Sequence, residues 1–311
     1  MKFEHISVLL RESVELLNVN KDGIYVDGTL GGGGHSSLIC ESLSSDGMLI
    51  GIDRDKEAIE AAKERLLNYN CKKEICHDNF FNIKNILKEK NIDKIDGAIL
   101  DLGVSSHQLD VAERGFSYNM NARLDMRMNQ EATKDAYYVV NNYEEEELAN
   151  IIYNYGEEKL SRKIAKAICE KRKLSPIETT FELSEIIKSV FPISKRYADK
   201  HPAKRTFQAI RIEVNGELDG LKEAIVDFTE SLKSGGRLAV ITFHSLEDRI
   251  VKQALKDLSL GCTCPKDFPI CVCGNKPKIK LINKKPIVAG SEELNENFRA
   301  HSAKLRVIEK I

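Results

Sequence analysis

Residues 27–35 read Asp-Gly-Thr-Leu-Gly-Gly-Gly-Gly-His, immediately after a short apolar run and immediately before a helical pattern. Glycine is needed where backbone must pass within contact of a ligand or adopt positive φ, and a helix N-terminus facing such a gap favours an electron-rich ligand group. The turn suits nucleotide-bearing cofactors of several kinds, NAD and FAD included. A P-loop does not fit, because no Gly-Lys-Ser/Thr follows the glycines. Asp53 closes the next apolar run, where a carboxylate can accept hydrogen bonds from both hydroxyls of a ribose. After a third run comes His77-Asp78-Asn79-Phe80, whose polar groups can read an adenine edge while Phe80 either stacks on its face or packs in the core. A fourth run ends in Asp101-Leu102-Gly103-Val104-Ser105-Ser106, placing an acid at the carboxyl edge of a sheet, the edge at which open α/β sheets bind ligands. Further on, His244 follows a fifth run in Thr242-Phe243-His244-Ser245. It is either a base that takes up a proton near neutral pH or a hydrogen-bonded residue that closes the strand.

Positioning these groups requires a doubly wound sheet. Strands are expected at 23–27, 48–53, 74–77 and 95–102, with helices between them at 35–45, 55–68 and 80–90; this alternation marks an α/β fold with parallel strands. In the second helix Ala58, Ile59, Ala62 and Leu66 recur at helical spacing. The rhythm then stops until Gly235. Helical patterns fill the interval at 143–155, 159–173 and 180–191, the last with Thr180 as expected N-cap and Pro192 beyond its end. We therefore expect one α/β domain from 1–105 and 206–311, interrupted by a helical insertion at 106–205. A strand over 235–244 and two alternating segments in the tail, KIKLINKKPIVAG and SAKLRVIEK, predict an antiparallel pair at the end of the sheet.

Composition excludes several classes. The 47 Lys plus Arg against 48 Asp plus Glu give a formal net charge of -1, so any polyanion must be held by local patches. No stretch approaches the roughly 18 uninterrupted apolar residues of a membrane helix, and a cytoplasmic protein without a membrane partner is expected. Cys40, Cys71, Cys76 and Cys169 are scattered and read as small buried hydrophobes. Cys262, Cys264, Cys271 and Cys273 form C-x-C-x6-C-x-C, a spacing open to a zinc site or to plain loop packing.

The blocks GTLGGGGHS, IDRD, DLGVSSHQLD, ERGFS, LDMRM, RTFQAIRIEVNGEL, GGRLAVITFHSLEDRIVK and RAHSAKLRVIEK, in this order, resemble the bacterial small-subunit ribosomal RNA cytosine-N4 methyltransferases. The resemblance runs from His5 almost to the C-terminus. It implies a class I S-adenosylmethionine-dependent methyltransferase: a seven-stranded, mostly parallel, Rossmann-like sheet, with the helical insertion recognising substrate. It implies methylation of a decoding-centre cytosine, position 1402 of 16S rRNA, within the small ribosomal subunit, and leaves a homodimer open. It also implies cofactor contacts at Gly33, Gly34, His35, Asp53, Phe80, Asp101 and Gln108. The residues alone point to Asp53, Phe80 and Asp101; they do not single out Gln108, and His35 reads only as a helix start.

The exocyclic amine of cytosine is a poor nucleophile because its lone pair is conjugated with the ring. A carboxylate or carbonyl accepting from the amine relocalises that pair, so Asp101, or the carbonyls just after it, is the expected catalytic acceptor and His244 the expected proton acceptor. The Asp/Asn-Pro-Pro-Tyr/Phe motif of many amine methyltransferases is missing after the fourth strand. Phe116, Tyr118 and Phe243 are candidate clamps for a flipped base, each equally a core candidate. For RNA phosphates the dense cations are Lys195, Arg196, Lys200, His201, Lys204, Arg205 and Arg211, of which Lys195, Arg196, Lys204 and Arg205 are the chosen contacts; Lys171-Arg172-Lys173 is a second group. A solvated helix face is the plainer account of either. Two other readings use the same features: a NAD-dependent oxidoreductase on the glycine turn and Asp53, and a non-enzymatic RNA-binding protein built on the cations and cysteines.

Overall fold

The computed structural model describes residues 7–196, 201–261, 264, 270 and 272–311, the side chains of residues 195 and 298 excepted. Five parallel strands, β1 (Ile24–Asp27), β2 (Met48–Asp53), β3 (Lys72–His77), β4 (Ile95–Asp101) and β5 (Leu232–Thr242), are extended by two antiparallel ones, β6 (Ile279–Leu281) and β7 (Lys304–Lys310). The order is β3-β2-β1-β4-β5-β7-β6. This is the expected class I methyltransferase sheet, with the tail supplying its antiparallel end. In β4 Ala98, Ile99 and Leu100 follow one another and, with Ile95, are fully buried, because both faces of the sheet are covered. Connections run one way from β1 to β2 and β3 and the other way to β4 and β5. The crevice of such a sheet therefore opens at the carboxyl ends of β1 and β4.

Helices Gly34–Ser42, Lys56–Leu66 and Ile83–Glu89 follow the first three strands. The second starts where Asp55 accepts a hydrogen bond from the Glu57 amide at 3.1 Å, and it buries the expected stripe Ala58, Ile59, Ala62 and Leu66. Two details differ from the expectation. Asn79 caps a single 3-10 turn, Phe80–Asn82, so the α-helix expected from residue 80 begins only at Ile83. The strand expected over 235–244 starts earlier: β5 begins at Leu232, and Gly235, at φ +80°, sits where the β4 pairing shifts between Ile95 and Gly97.

The chain divides into two compact units, one running to Gly103 and resuming at Gly220, the other spanning Val104–Asp219. The first packs Tyr25, Leu49, Ile99, Ile241 and Leu305 into a core around the sheet. The second has its own core, in which Leu124, Val139, Ile152, Ile168, Leu183 and Ile210 come from different helices. Helix Lys204–Asn215, which the sequence boundary at 205 cuts, packs within this second unit: Phe207, Ile210 and Val214 are in that core, and a Cβ on Gly156 would lie 2.6 Å from the Arg205 carbonyl. No helix among the described residues is long and apolar enough to cross a membrane. Cys40, Cys71 and Cys169 are buried and Cys76 half-buried. The four-thiolate reading falls partly on Cys262 and Cys271, which lie outside the described residues.

The third helix of the insertion is Thr180–Val190, and its cap is Thr179, not Thr180. Thr179 Oγ1 accepts from the Glu182 amide at 3.2 Å while Glu182 Oε2 accepts from the Thr179 amide at 3.0 Å, a reciprocal capping box. Thr180 is occupied elsewhere, its hydroxyl donating to the Met120 carbonyl at 2.6 Å. Replacing Thr179 with Ala should lower stability by about 1 kcal/mol. Urea unfolding followed by circular dichroism measures this, and an unmoved midpoint would contradict the cap.

Candidate active site

β1 ends in Asp27, 1% exposed, and the chain must leave the strand through glycine: a Cβ on Gly28 would lie 2.4 Å from Leu100 Cδ2. The turn that follows is stitched to both neighbouring strands by its own amides. Gly28 N donates to Ile99 O at 2.9 Å, Leu30 N to Ile52 O at 2.9 Å, and Gly31 N to Asp53 Oδ2 at 2.7 Å. Gly33 is the N-cap of helix Gly34–Ser42 at φ +75°. Gly34 lies so close to Ser7 that a Cβ would fall 1.8 Å from the Ser7 hydroxyl oxygen.

Three carboxylates end the strands around this turn. Asp27 accepts from Thr29 N at 3.2 Å and from the Ser36 hydroxyl at 2.7 Å. Even so, burial pushes its carboxyl up to about 6. Asp53 accepts from the Gly31 amide on one oxygen and from Asp55 N at 2.8 Å on the other; burial raises it, and those donors oppose the rise. Each oxygen retains further acceptor capacity, which is what a ribose diol requires. Asp101 is held by its backbone, its N donating to Thr29 Oγ1 at 2.6 Å. Its Oδ2 is 3.7 Å from His35 Nδ1, while its Oδ1 is buried without a hydrogen-bond partner among the described residues. Burial first, then the charges of Asp27 and Glu247, raise Asp101 well above the usual carboxylate range. His35 is 4% exposed, and its Nε2 reaches the Val8 carbonyl at 3.1 Å, so it ties the segment before the first helix to this edge of the sheet.

His244 closes β5 and starts the next helix, Ser245–Ser259. Its Nδ1 accepts from the Glu247 amide at 3.4 Å, and Glu247 Oε2 accepts from the amides of Phe243 and His244 at 2.9 and 3.2 Å. The remaining ring nitrogen, Nε2, lies 3.0 Å from Glu247 Oε1 without hydrogen-bond geometry. Phe80 is 8% exposed, edge-on to Phe81 with ring centroids 4.6 Å apart and 6.4 Å from Phe228, so most of it packs as core. Phe243 lies over Gly103, whose φ is +117° and whose Cβ would come 3.2 Å from that ring.

The remaining expected residues belong to the second unit. Gln108 is buried and forms a capping box with Ser105, its Oε1 accepting from Ser105 N at 3.1 Å. Phe116 is in the core of that unit, and Tyr118 stacks on His201 with centroids 4.4 Å apart. The expected cation cluster is largely taken up by the protein itself. Arg196 donates to the Phe191 and Ser189 carbonyls at 2.8 and 3.0 Å, closing the preceding helix, and Arg172 does the same to Val140 and Tyr143 at 2.8 and 2.6 Å. Arg211 makes a bidentate pair with the buried Glu217 at 2.8 and 2.7 Å. Lys204 is exposed, Arg205 donates to the Glu157 carbonyl at 3.1 Å, and the side chain of Lys195 and all of Lys200 lie outside the described residues.

Thus one unit brings together the glycine turn, His35, Asp53, Asp101 and, through Glu247, His244. Thr29, Ser36, Ser7 and Glu247 support these groups and were not anticipated. Only Glu247 carried a signal, as the fourth residue of a capping-box pattern begun by His244. The assembly fits a ligand that brings positive charge or hydrogen-bond donors: Asp27 and Asp101 are buried acids, and one Asp101 oxygen has no hydrogen-bond partner among the described residues.

Known proteins resemble the chain throughout its length. It matches the MraW methylase family over residues 2–311. It is 61% identical over 311 residues to the ribosomal RNA small subunit methyltransferase H of Clostridium botulinum (strain Kyoto), covering 100% of both chains. With the protein of that name from Brevibacillus brevis the identity is 56%, covering 100% of this chain and 99% of the other. Among solved structures, an rRNA methylase from Streptococcus thermophilus matches with TM-score 0.42 and 12% identity over 99% of each chain, a likeness too remote to add to the topology above.

The raised Asp27 carboxyl has a measurable consequence. The unfolded chain releases this proton near 3.8 and the fold keeps it to about 6, so stability falls as pH rises through that window. At about 1.4 kcal/mol per unit, the difference is on the order of 3 kcal/mol. Asp27→Asn keeps an acceptor for Thr29 and places an amide against the Ser36 hydroxyl. It should match the wild type in urea melts at pH 4 and exceed it at pH 8; equal pH slopes in the two proteins would refute the shift.

Proposed function

Because the chain belongs to the MraW methylase family, we propose that it methylates small-subunit ribosomal RNA with S-adenosylmethionine, and that the acceptor is the exocyclic N4 amine of the decoding-centre cytosine at position 1402. The observation that carries the reading is Asp101, a buried acid at the sheet's carboxyl edge with one oxygen unpartnered and two neighbouring carboxylates raising its proton affinity. Such a group is unsatisfied until something positive, or a hydrogen-bond donor, comes to it. S-adenosylmethionine supplies, when bound, a methyl group activated by a positive sulfonium.

In this reading Asp53 holds the ribose, the backbone at Gly33 and Gly34 passes along the ligand, and His35 fixes the wall beside Asp101. Phe80 offers an edge to the adenine, and Gln108 is a further cofactor contact that the family resemblance implies. The same unit holds the RNA, with Arg196, Lys204 and Arg205 among its cations. Asp101 ionises as positive charge approaches, then accepts a hydrogen bond from the cytosine amine and localises the lone pair on nitrogen. Carbonyls just beyond Asp101 share this task. The proton set free passes to His244 at Nε2, since Nδ1 is engaged by the Glu247 amide. Exclusion of water from a site this deeply buried strengthens each of these interactions.

Calorimetry of the purified protein should give binding of S-adenosylmethionine and S-adenosylhomocysteine and none of NAD; the reverse pattern would replace methyl transfer by hydride transfer. With 16S rRNA or small subunits as substrate, mass spectrometry of nuclease digests should find one N4-methylated cytosine, and a methyl group elsewhere would displace the assigned base. Asp101→Ala should reduce turnover at saturating cofactor by about a hundredfold or more. Turnover retained there would remove Asp101 from catalysis. His244→Gln, which keeps a carbonyl oxygen for the Glu247 amide, should lower kcat on the order of tenfold; an unchanged kcat would leave His244 as a cap only.

A further inference from the structure

The second unit contains a groove of about 670 Å³ lined by Glu158, Lys159, Leu160, Lys163, Phe191 and Arg205, together with Val190 and Pro192. Leu160, Val190 and Phe191 are partly exposed side chains resting on the core of that unit, so they form an apolar floor. The rim is cationic. Lys159 and Lys163 are exposed and make no ion pair among the described residues. Arg205 is held over the groove by its own helix, pressed against Gly156, and by donation to the Glu157 carbonyl at 3.1 Å. The single acid, Glu158, is buried. Its Oε1 accepts from Leu160 N at 2.9 Å and its Oε2 lies 3.8 Å from Arg205, so it positions the rim and does not neutralise the lysines.

The wider charge pattern reinforces this. Residues 159–173 carry seven cations, Lys159, Arg162, Lys163, Lys166, Lys171, Arg172 and Lys173, against the one carboxylate Glu170. The acidic run Glu144–Glu147 starts the preceding helix, and Glu144 and Glu145 act on Cys169, near the far end of helix Ser161–Arg172. Lys159 and Lys163 stand at the opposite end, away from those acids.

We propose that this groove seats a nucleotide of the RNA substrate other than the one methylated, its phosphate on Lys159, Lys163 and Arg205 and its base against Phe191. The volume is that of a ligand pocket, and a cationic rim over an aromatic floor is the arrangement that holds single-stranded nucleic acid without reading sequence. The inference rests on the proposed RNA substrate and moves the principal contact from 195–205 toward 159–163.

The test is the double substitution Lys159→Glu/Lys163→Glu, both at exposed positions, with Lys171→Glu/Lys173→Glu as a charge-matched control. Binding to 16S rRNA and to small subunits is measured from 50 to 200 mM salt, beside S-adenosylmethionine affinity and melting temperature. The groove variant should lose on the order of tenfold in RNA affinity and reduce the salt slope by about 0.7, the figure for one single-strand phosphate contact. Cofactor affinity and melting temperature should stay at wild-type values, and kcat at saturating RNA should return. Phe191→Leu, which keeps the floor apolar and removes the ring, should weaken RNA binding while leaving the slope unchanged. A wild type that methylates rRNA beside a groove variant with unchanged affinity and slope, or a control that loses as much, overturns the groove alone. A wild type that neither binds nor methylates the RNA removes the proposed substrate, and the groove's occupant with it.

Discussion

Two buried carboxylates on adjacent strands govern the architecture. β1 and β4 are in register with Asp27 opposite Ile99, so Asp27 and Asp101 end the two central strands side by side, and each is shielded from water. Ionised acids in such a place are expensive unless donors or cations surround them. The protein answers with short-range donors, the Thr29 amide and the Ser36 hydroxyl on Asp27 and the Gly31 amide on Asp53, while the Thr29 hydroxyl accepts from the Asp101 amide and fixes that backbone. Gly28, where a Cβ would lie 2.4 Å from Leu100, lets the connecting turn leave β1 close against β4.

The sheet was readable from the chain because burial on both faces leaves an unmistakable apolar run in each central strand, and because the tail alternates as an edge pair must. Its fine structure was not. The cap at Thr179 and the hydroxyl bridge at Thr180 are chemically interchangeable in sequence; only the position of Met120, sixty residues away, separates them. The 3-10 turn at Phe80 arises from Asn79 accepting from Phe81 N, a local choice that periodicity cannot see. In the site, the strand-end acids announced themselves through position. Of their supports, Thr29 and Ser36 did not, because hydroxyls serve so many purposes that a partner must be known before the role is; Glu247 showed only as the end of a capping-box pattern.

The cations show the opposite error, a signal that sequence density overstates. Arg172, Arg196 and Arg211 lie in the densest basic stretches, yet each guanidinium is turned onto carbonyls or a buried carboxylate. Arginine suits such work, since its planar fork satisfies several acceptors at once and stays charged on burial. Among the exposed lysines of this unit, Lys159 and Lys163 make no ion pair among the described residues, whereas Lys166 lies 3.8 Å from Glu170. Whether a basic stretch can meet a polyanion therefore depends on which residue type carries the charge and on which helix ends lie nearby, not on the count alone.

A net charge of -1 is consequently no obstacle to handling both a cationic cofactor and a polyanionic substrate. The carboxylates of the sheet edge act at contact range on whatever enters, because burial strengthens them there and their own donors quench them elsewhere. Exposed lysines act through release of condensed counterions from the nucleic acid, which depends on local charge density and not on the molecule's total. A uniformly basic protein would have held a polyanion as well, but the same field would have opposed any positive ligand at the strand-end acids.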